Sequence, residues 1–130
     1  MKIKILGSRY TKISADRDLS FDGKIEVDQN INIKEIKEYD KKNSLVVDYI
    51  YNIDYKKLGK IEIDGILYLE LEEGNVKKVV KDWKAKKIDP EDQLAIINLI
   101  IHKASIKALQ LEEELGLPIH FRLPTLQNKK

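Results

Sequence analysis

The sequence DPEDQLAIINLIIHKASIKALQLEEELG at residues 89–116 decides the fold of this chain. Asp89 and Pro90, followed by an acidic first turn, are typical of a helix start, because aspartate caps free backbone N–H groups and proline pre-sets φ. Gly116 and Pro118 predict the end of this helix. A helix from Pro90 to Leu115 is about 39 Å long, so it is the dominant element of the chain.

The long helix has aliphatic side chains around nearly its whole girth between Leu94 and Ile101. Because a helix that is apolar on all sides is a buried helix, one sheet cannot cover it. We therefore expect a homo-oligomer in which the helix lies between the sheet and a partner subunit, with an interface formed by Ile97, Ile100, Ile101 and Ala104. The alternative is that a short helix beginning near Val76 covers the second side.

The residues before Gly74 follow the period of two that is typical of β-strands. Apolar and polar residues alternate in four segments, which run roughly over residues 10–23, 24–37, 45–55 and 60–72. The short linker at residues 56–59 predicts a hairpin between the last two. The first half therefore predicts a four-stranded antiparallel meander.

A short helix is predicted directly after the sheet. Asn75 is a candidate N-cap, and one apolar stripe is expected at Val76, Val79, Val80 and Trp83. The fold class is therefore α+β: a four-stranded antiparallel sheet followed by a short helix and one long helix packed on one face. A single domain is expected over residues 1–130.

Composition excludes several classes of function. The chain has 130 residues and no Cys, which removes disulfides, thiolate metal sites and cysteine nucleophiles. Lys plus Arg is 24 and Asp plus Glu is 22, so the net charge of +2 does not indicate bulk attraction to nucleic acid or anionic lipid. The N-terminus lacks a signal-peptide pattern, and the apolar run at residues 94–101 is too short to cross a bilayer. We expect a soluble cytoplasmic protein.

The sequence shows no catalytic constellation. His102 and His120 have no partner at metal-binding spacing and are expected at the surface or its boundary. Asp16, Asp18 and Asp22 alternate with other residues in a predicted strand and turn, where a solvated face is favoured over a cation site. No nucleophile elbow or phosphate loop occurs. We therefore expect no enzyme activity, no metal and no cofactor.

Two surfaces are candidates for binding. Apolar residues exceed what a core needs, and this surplus favours a hydrophobic recognition surface. Val46, Ile50, Ile66 and Tyr68 predict an apolar patch on one sheet face. The candidates for contact with a bound polypeptide are Tyr49, Tyr51, Tyr55, Trp83, Leu117, Ile119 and Phe121. The lysines from Lys77 to Lys87 form a basic face, which supports the alternative of a nucleic-acid-binding or regulatory module.

The order of elements resembles the SecB export-chaperone family, and especially its archaeal SecB-like members. Tyr10, Thr11 and Lys12, followed by Leu19, Ser20 and Phe21, are similar to the phrase that opens the family's first strand. The family's main helix ends in a Gly, Pro, aliphatic, Leu, Pro sequence, which is matched here by Gly116, Pro118, Leu123 and Pro124. The resemblance covers residues 8–126.

This resemblance implies an ATP-independent holdase that grips non-native polypeptides in long hydrophobic grooves and prevents their aggregation. It also implies a homotetramer, built as a dimer of dimers, with the long helices between two sheets, and a link to protein export. The acidic surface by which bacterial members engage the translocation motor is not evident at a net charge of +2. The resemblance therefore favours a general holdase.

Overall fold

The computed structural model describes residues 2–120. Four strands are followed by two helices, and this arrangement confirms the predicted α+β class. A single 3₁₀ turn, Lys56–Leu58, joins the third and fourth strands. The elements are β1 (Ile3–Arg17), β2 (Asp28–Glu38), β3 (Ser44–Asp54), β4 (Gly59–Leu71), α1 (Asn75–Lys84) and α2 (Pro90–Leu115).

The sheet has the order β1-β4-β3-β2 with antiparallel neighbours, so the predicted meander is wrong for β1. Residues 18–27 separate β1 from β2, which is too long for a tight hairpin. This connection passes across the end of the sheet, where the backbone N–H of Asp18 donates to the carbonyl of Leu58 at 2.7 Å. As a result β1 and β2 form the two edges of the sheet.

Strand β1 begins at Ile3, seven residues before the predicted start near Tyr10. Its first residues pair with the end of β4, as Ile3 lies opposite Leu71 and Ile5 opposite Leu69. Register shifts between Ile5 and Gly7 and again between Tyr10 and Lys12 interrupt the alternation. Because a bulge moves the following side chains to the other face, the period of two is hidden in the sequence here.

The core lies between one face of the sheet and α2. Tyr49, Tyr51 and Ile63 are almost fully buried on this face. A Cβ at Gly65, which pairs with Tyr49, would lie 2.6 Å from the ring carbon Cζ of that tyrosine. The absence of a side chain at Gly65 therefore lets the large ring lie flat over the neighbouring strand.

Both ends of α2 are fixed as the sequence predicts. The Asp89 side chain accepts a hydrogen bond from the backbone N–H of Glu91 at 2.8 Å, and Pro90 is the first helical residue. At the other end, Gly116 has a φ of 68°, in the left-handed region that favours glycine. Arg17 of β1 donates to the carbonyls of Leu115 and Gly116 at 3.0 and 2.7 Å, so a cation stabilises the negative end of the helix dipole.

Helix α1 does not cover the outer side of α2. Its buried residues are Val76, Val79 and Val80, and it packs chiefly against β2. The N-cap position is Gly74 with a φ of 86° and not Asn75, which is the first helical residue. The tight turn out of β4, in which the N–H of Asn75 donates to the carbonyl of Glu72, explains this shift.

Candidate functional site: the groove beside α2

Helix α2 has one buried side and one exposed side. The buried positions recur every four residues, at Ile96, Ile100, Ala104, Ala108 and Glu112. The exposed positions recur with the same spacing, at Leu94, Asn98, His102, Ile106 and Gln110. The expectation of an all-round apolar helix is therefore corrected, because three of these five exposed side chains, Asn98, His102 and Gln110, are polar.

An apolar groove runs along the flank of α2 that faces β2. It encloses about 350 Å³, within the usual range of about 300–1,000 Å³ for ligand pockets. Ile106 is 55% exposed at its rim. The lining residues are Gln29, Ile101, His102, Ser105, Ile106, Leu109 and His120. The walls are mostly aliphatic, and polar groups are placed at the edges.

Hydrogen bonds tie the groove to the sheet beneath it. The Tyr51 hydroxyl donates to Oε1 of Gln29 at 2.6 Å and lies 3.3 Å from Oγ of Ser105. The Gln29 amide in turn donates to the carbonyl of His120 at 3.3 Å. Burial raises the pKa of Tyr51, although the hydrogen bond with Ser105 lowers it in part. Tyr51 therefore stays protonated at neutral pH and holds β2 to α2.

A second polar cluster closes one end of the groove. The hydroxyl of Tyr55 donates to Oε2 of Glu112, and Nδ1 of His120 lies 2.8 Å from Oε1 of the same carboxyl group. Both the Glu112 and the His120 side chains are fully buried. Burial and the hydrogen bond to Glu112 raise the pKa of Tyr55 above its usual value. The cluster fixes the segment after α2 as the end wall of the groove.

Sequence reasoning missed this cluster. His120 is buried and contacts Glu112, whereas a surface or boundary position was expected; the turn at Gly116 brings it back over the helix end. The buried positions of α2 recur every four residues, and the last of these positions is Glu112. A carboxyl group on a buried line needs a partner, and that need could have identified the cluster.

Tyr49 differs from its two neighbours on the strand. Its hydroxyl is buried and has no hydrogen-bond partner among residues 2–120. Burial, together with the nearby Tyr10 and Asp64, raises the pKa of Tyr49 to about 12. Its role is therefore packing.

The structure does not bring the predicted polypeptide-contacting residues to one surface. Tyr49, Tyr51 and Tyr55 lie in the core, since the alternation that suggested an aromatic stripe is the alternation of a buried face. Leu117 is also buried, while Ile119 is 46% exposed. Trp83 is half-buried on α1, away from the groove, and Phe121 lies outside the described residues.

The predicted interface residues divide into two pairs. Ile100 and Ala104 are fully buried against the sheet within a single chain, which leaves no surface for a partner. Ile97 and Ile101 are half-buried on the flank of the helix. The groove residues Ile106 and Leu109 were not identified from the sequence, because their position on the flank depends on the direction in which α2 crosses the sheet.

Among residues 2–120, no group of three or more His, Asp or Glu side chains could hold a metal ion. All of α2, unlike residues 94–101 alone, is long and apolar enough to cross a membrane by length and composition. In this structure it packs on the sheet, and 22% of its most apolar stretch is buried inside the chain. The large aliphatic residues of α2 that stay more than half exposed are Leu94 and Ile106.

Comparison with known proteins relates the chain to one fold. No family model matches the sequence, and no curated protein matches it. Among solved structures, the chain is similar to the SecB-like chaperone Rv1957 of Mycobacterium tuberculosis, solved in complex with a ChAD peptide from the Rv1956 HigA1 antitoxin. The TM-score is 0.58 with 13% sequence identity, over 98% of this chain and 93% of that one. The fold is therefore SecB-like.

Proposed function

We propose that this protein is an ATP-independent holdase that binds non-native polypeptides and prevents their aggregation. The observation that carries the proposal is the apolar groove on the flank of α2, with Ile101, Ile106 and Leu109 in its walls. A surface that binds extended apolar segments lowers the concentration of free unfolded chain, and this suppresses aggregation by mass action. No nucleotide is needed for such a mechanism. The SecB-like fold supports the proposal at the level of architecture.

The proposal assigns the contact with polypeptides to the groove and not to the buried tyrosines. An aliphatic or aromatic side chain of the bound polypeptide would enter between Ile106 and the end wall at His120. Gln29 and Ser105 lie at the groove's edge, where they can meet backbone groups of the bound chain. Such a groove can bind polypeptides of many different sequences. Its apolar walls select for hydrophobic side chains, and the polar groups at its edge bind the peptide backbone, which all polypeptides share.

The proposal includes self-association through the outer side of α2. Leu94 is 58% exposed and Ile97 half-buried at the N-terminal half of this helix, so burial of their remaining exposed surface in an assembly contributes only part of the about 1.5–3 kcal/mol that full burial of an aliphatic side chain supplies. We propose a dimer of dimers in which these residues replace Ile100 and Ala104 at the interface. A cytoplasmic location and a link to protein export belong to the same proposal, because a holdase meets its clients before they fold.

The decisive experiment follows the aggregation of a thermally unfolding model enzyme by light scattering, with stoichiometric amounts of this protein and no nucleotide. We expect clear suppression by the wild type. Ile106→Glu should weaken client binding by about tenfold or more, because a charge replaces an aliphatic contact worth about 1.5–3 kcal/mol. Equal aggregation with and without the wild-type protein would show that the holdase proposal is wrong.

Leu19→Glu is the matched control for Ile106→Glu. Leu19 is 88% exposed on the connection after β1 and does not line the groove, so replacing this aliphatic side chain with glutamate should leave the suppression intact. Light scattering of each variant alone reports the oligomeric state. We expect Ile106→Glu to remain assembled and Leu94→Glu to dissociate. The two variants therefore distinguish loss of polypeptide binding from loss of self-association.

A further inference from the structure

The C-terminal end of α1 carries a second cavity, separate from the α2 groove. It encloses about 530 Å³ and is lined by Trp83, Lys84, Lys86, Ile88 and Gln93. Trp83 and Ile88 are half-buried, while both lysines are exposed. The cavity therefore combines an apolar floor with a cationic rim.

The lysines of this region form an unneutralised patch. Residues 77–87 hold six lysines against one aspartate, a net charge of +5 in a chain whose total is +2. None of these lysines forms an ion pair with another residue of the part that the structure describes. Lys77, Lys81 and Lys84 follow at helical spacing, where like charges repel. Attraction to the helix C-terminus offsets this repulsion only for the last turn.

Lys86 adds strain to the same place. Its φ is 59°, in the left-handed region, and it follows the end of α1 where glycine is favoured. Its N–H donates to the carbonyl of Trp83 at 3.0 Å, and the N–H of Lys87 donates to the carbonyl of Asp82 at 2.8 Å. A glycine would make the same backbone hydrogen bonds without strain. Lys86 thus keeps a charge at the rim at a conformational cost.

We propose that this end of α1 is a docking surface for an acidic segment of a polypeptide. One aliphatic or aromatic side chain of the segment enters the cavity over Trp83, and its carboxylates pair with Lys84, Lys86 and the lysines of the preceding turn. Complementary charge steers such a partner to the surface. This surface shares no lining residue with the α2 groove, so this inference stands independently of the holdase proposal.

The composition of the patch favours an acidic peptide over nucleic acid. Residues 77–87 contain no arginine, which is the side chain that most often forms bidentate hydrogen bonds with bases and phosphates. Trp83 is their only aromatic residue, whereas single-stranded nucleic acids stack on several. Glu72, Glu73 and Asp89 flank the patch and would repel a continuous polyphosphate more than a short segment with a few carboxylates.

Trp83 supplies the probe, because it is the only tryptophan in the chain. A short synthetic peptide of Glu and Asp residues around a single Leu is titrated into the full-length protein while Trp emission is recorded. We expect a saturable shift that weakens as salt is raised. A peptide with Lys in place of each acidic residue should give no shift. Absence of a saturable shift with the acidic peptide overturns the proposal, and so does tighter binding of an oligothymidylate of equal charge.

Three variants locate the binding. Lys81→Glu together with Lys84→Glu should weaken binding of the acidic peptide by about tenfold, since two attractions become repulsions. Lys57→Glu, on the exposed 3₁₀ turn, is a control outside the cavity with half that change of charge, and it should leave the affinity unchanged. Lys86→Gly should raise Tm, because it removes the strain, and weaken binding about threefold by loss of one exposed ion pair. A raised Tm with unchanged affinity would contradict the role of Lys86.

Discussion

The buried and exposed sides of α2 share the same four-residue spacing but differ in what each position can tolerate. Along the buried side the residues change from Ile96 and Ile100 to Ala104 and Ala108, and then to Glu112. Small residues let the helix approach a sheet whose largest buried side chains are tyrosines. Along the exposed side, Ile106 stands between His102 and Gln110 with no such constraint. An aliphatic residue on the buried side of this helix therefore serves the fold, whereas one on the exposed side is free to serve binding.

The largest expected difference between the two sides comes from removing one aliphatic side chain from each. Ile100→Ala should lower the free energy of unfolding by about 2–5 kcal/mol, because Ile100 is fully buried and the truncation leaves a cavity. Ile106→Ala should change it by about 0.5 kcal/mol or less, because Ile106 is already 55% exposed.

Urea denaturation of both variants measures this difference directly. It is best done at a protein concentration low enough to separate the subunits, since assembly adds to apparent stability. Equal losses for Ile100→Ala and Ile106→Ala at that concentration would mean that the chain itself covers Ile106 as completely as the sheet covers Ile100. That result would remove the groove from the candidate sites.

A smaller effect is expected from the polar residue that ends the buried side. Glu112→Ala leaves the Tyr55 hydroxyl without its acceptor and removes the contact of the His120 ring with the helix. Loss of buried hydrogen-bond partners should cost about 1–3 kcal/mol. Gln110→Ala, on the exposed side of the same turn, should be neutral within about 0.5 kcal/mol.

Glu112→Ala should also disturb the groove, because His120 forms its end wall. Chemical shifts of the His102 and His120 rings in an NMR spectrum distinguish the two sides. We expect the His120 signals to move strongly in Glu112→Ala and those of exposed His102, ten residues earlier on the helix, to move much less. Unchanged His120 signals would show that the carboxyl group does not position the segment after α2.

The sequence predicts the long helix of this fold in detail. Asp89, Pro90 and Gly116 define its ends through local capping chemistry, which does not depend on the rest of the chain. The partner of β1 is not local. Whether β1 pairs with β2 or with β4 depends on the path of residues 18–27 across the sheet end, and no nearby residue encodes this path.

The candidate site is predicted less well than the fold, again for a physical reason. Tyr49, Tyr51 and Tyr55 suggest a binding stripe, yet the same alternation is produced by a buried sheet face. Ile106 and Leu109 resemble other aliphatic residues of α2 in sequence. Only the crossing of the helix over the sheet shows that they lie beside Gln29 and His120. A surface formed by two elements that are far apart in the sequence cannot be predicted from the residues of either element alone.

The smallest expected effect separates two tyrosines that lie beneath the buried side of α2. The Tyr49 hydroxyl has no hydrogen-bond partner among residues 2–120, so Tyr49→Phe should change the free energy of unfolding at pH 7 by less than about 1 kcal/mol. Tyr55→Phe leaves Oε2 of Glu112 without its donor and should cost about 1–3 kcal/mol. These two variants test whether a tyrosine hydroxyl contributes to stability through its hydrogen bond with the end of α2 or through burial alone.

Alkaline unfolding sharpens the same test. The pKa of Tyr49 is raised from 10.0 to about 12 in the folded chain, so as pH rises the unfolded chain loses this proton first. The stability that Tyr49 contributes through this shift is complete below about pH 10 and is lost as pH rises through about 12. Denaturation at pH 9 and pH 11 should therefore show a smaller loss in Tyr49→Phe than in the wild type. An identical loss in both would place the Tyr49 hydroxyl in contact with solvent and contradict its burial beneath α2.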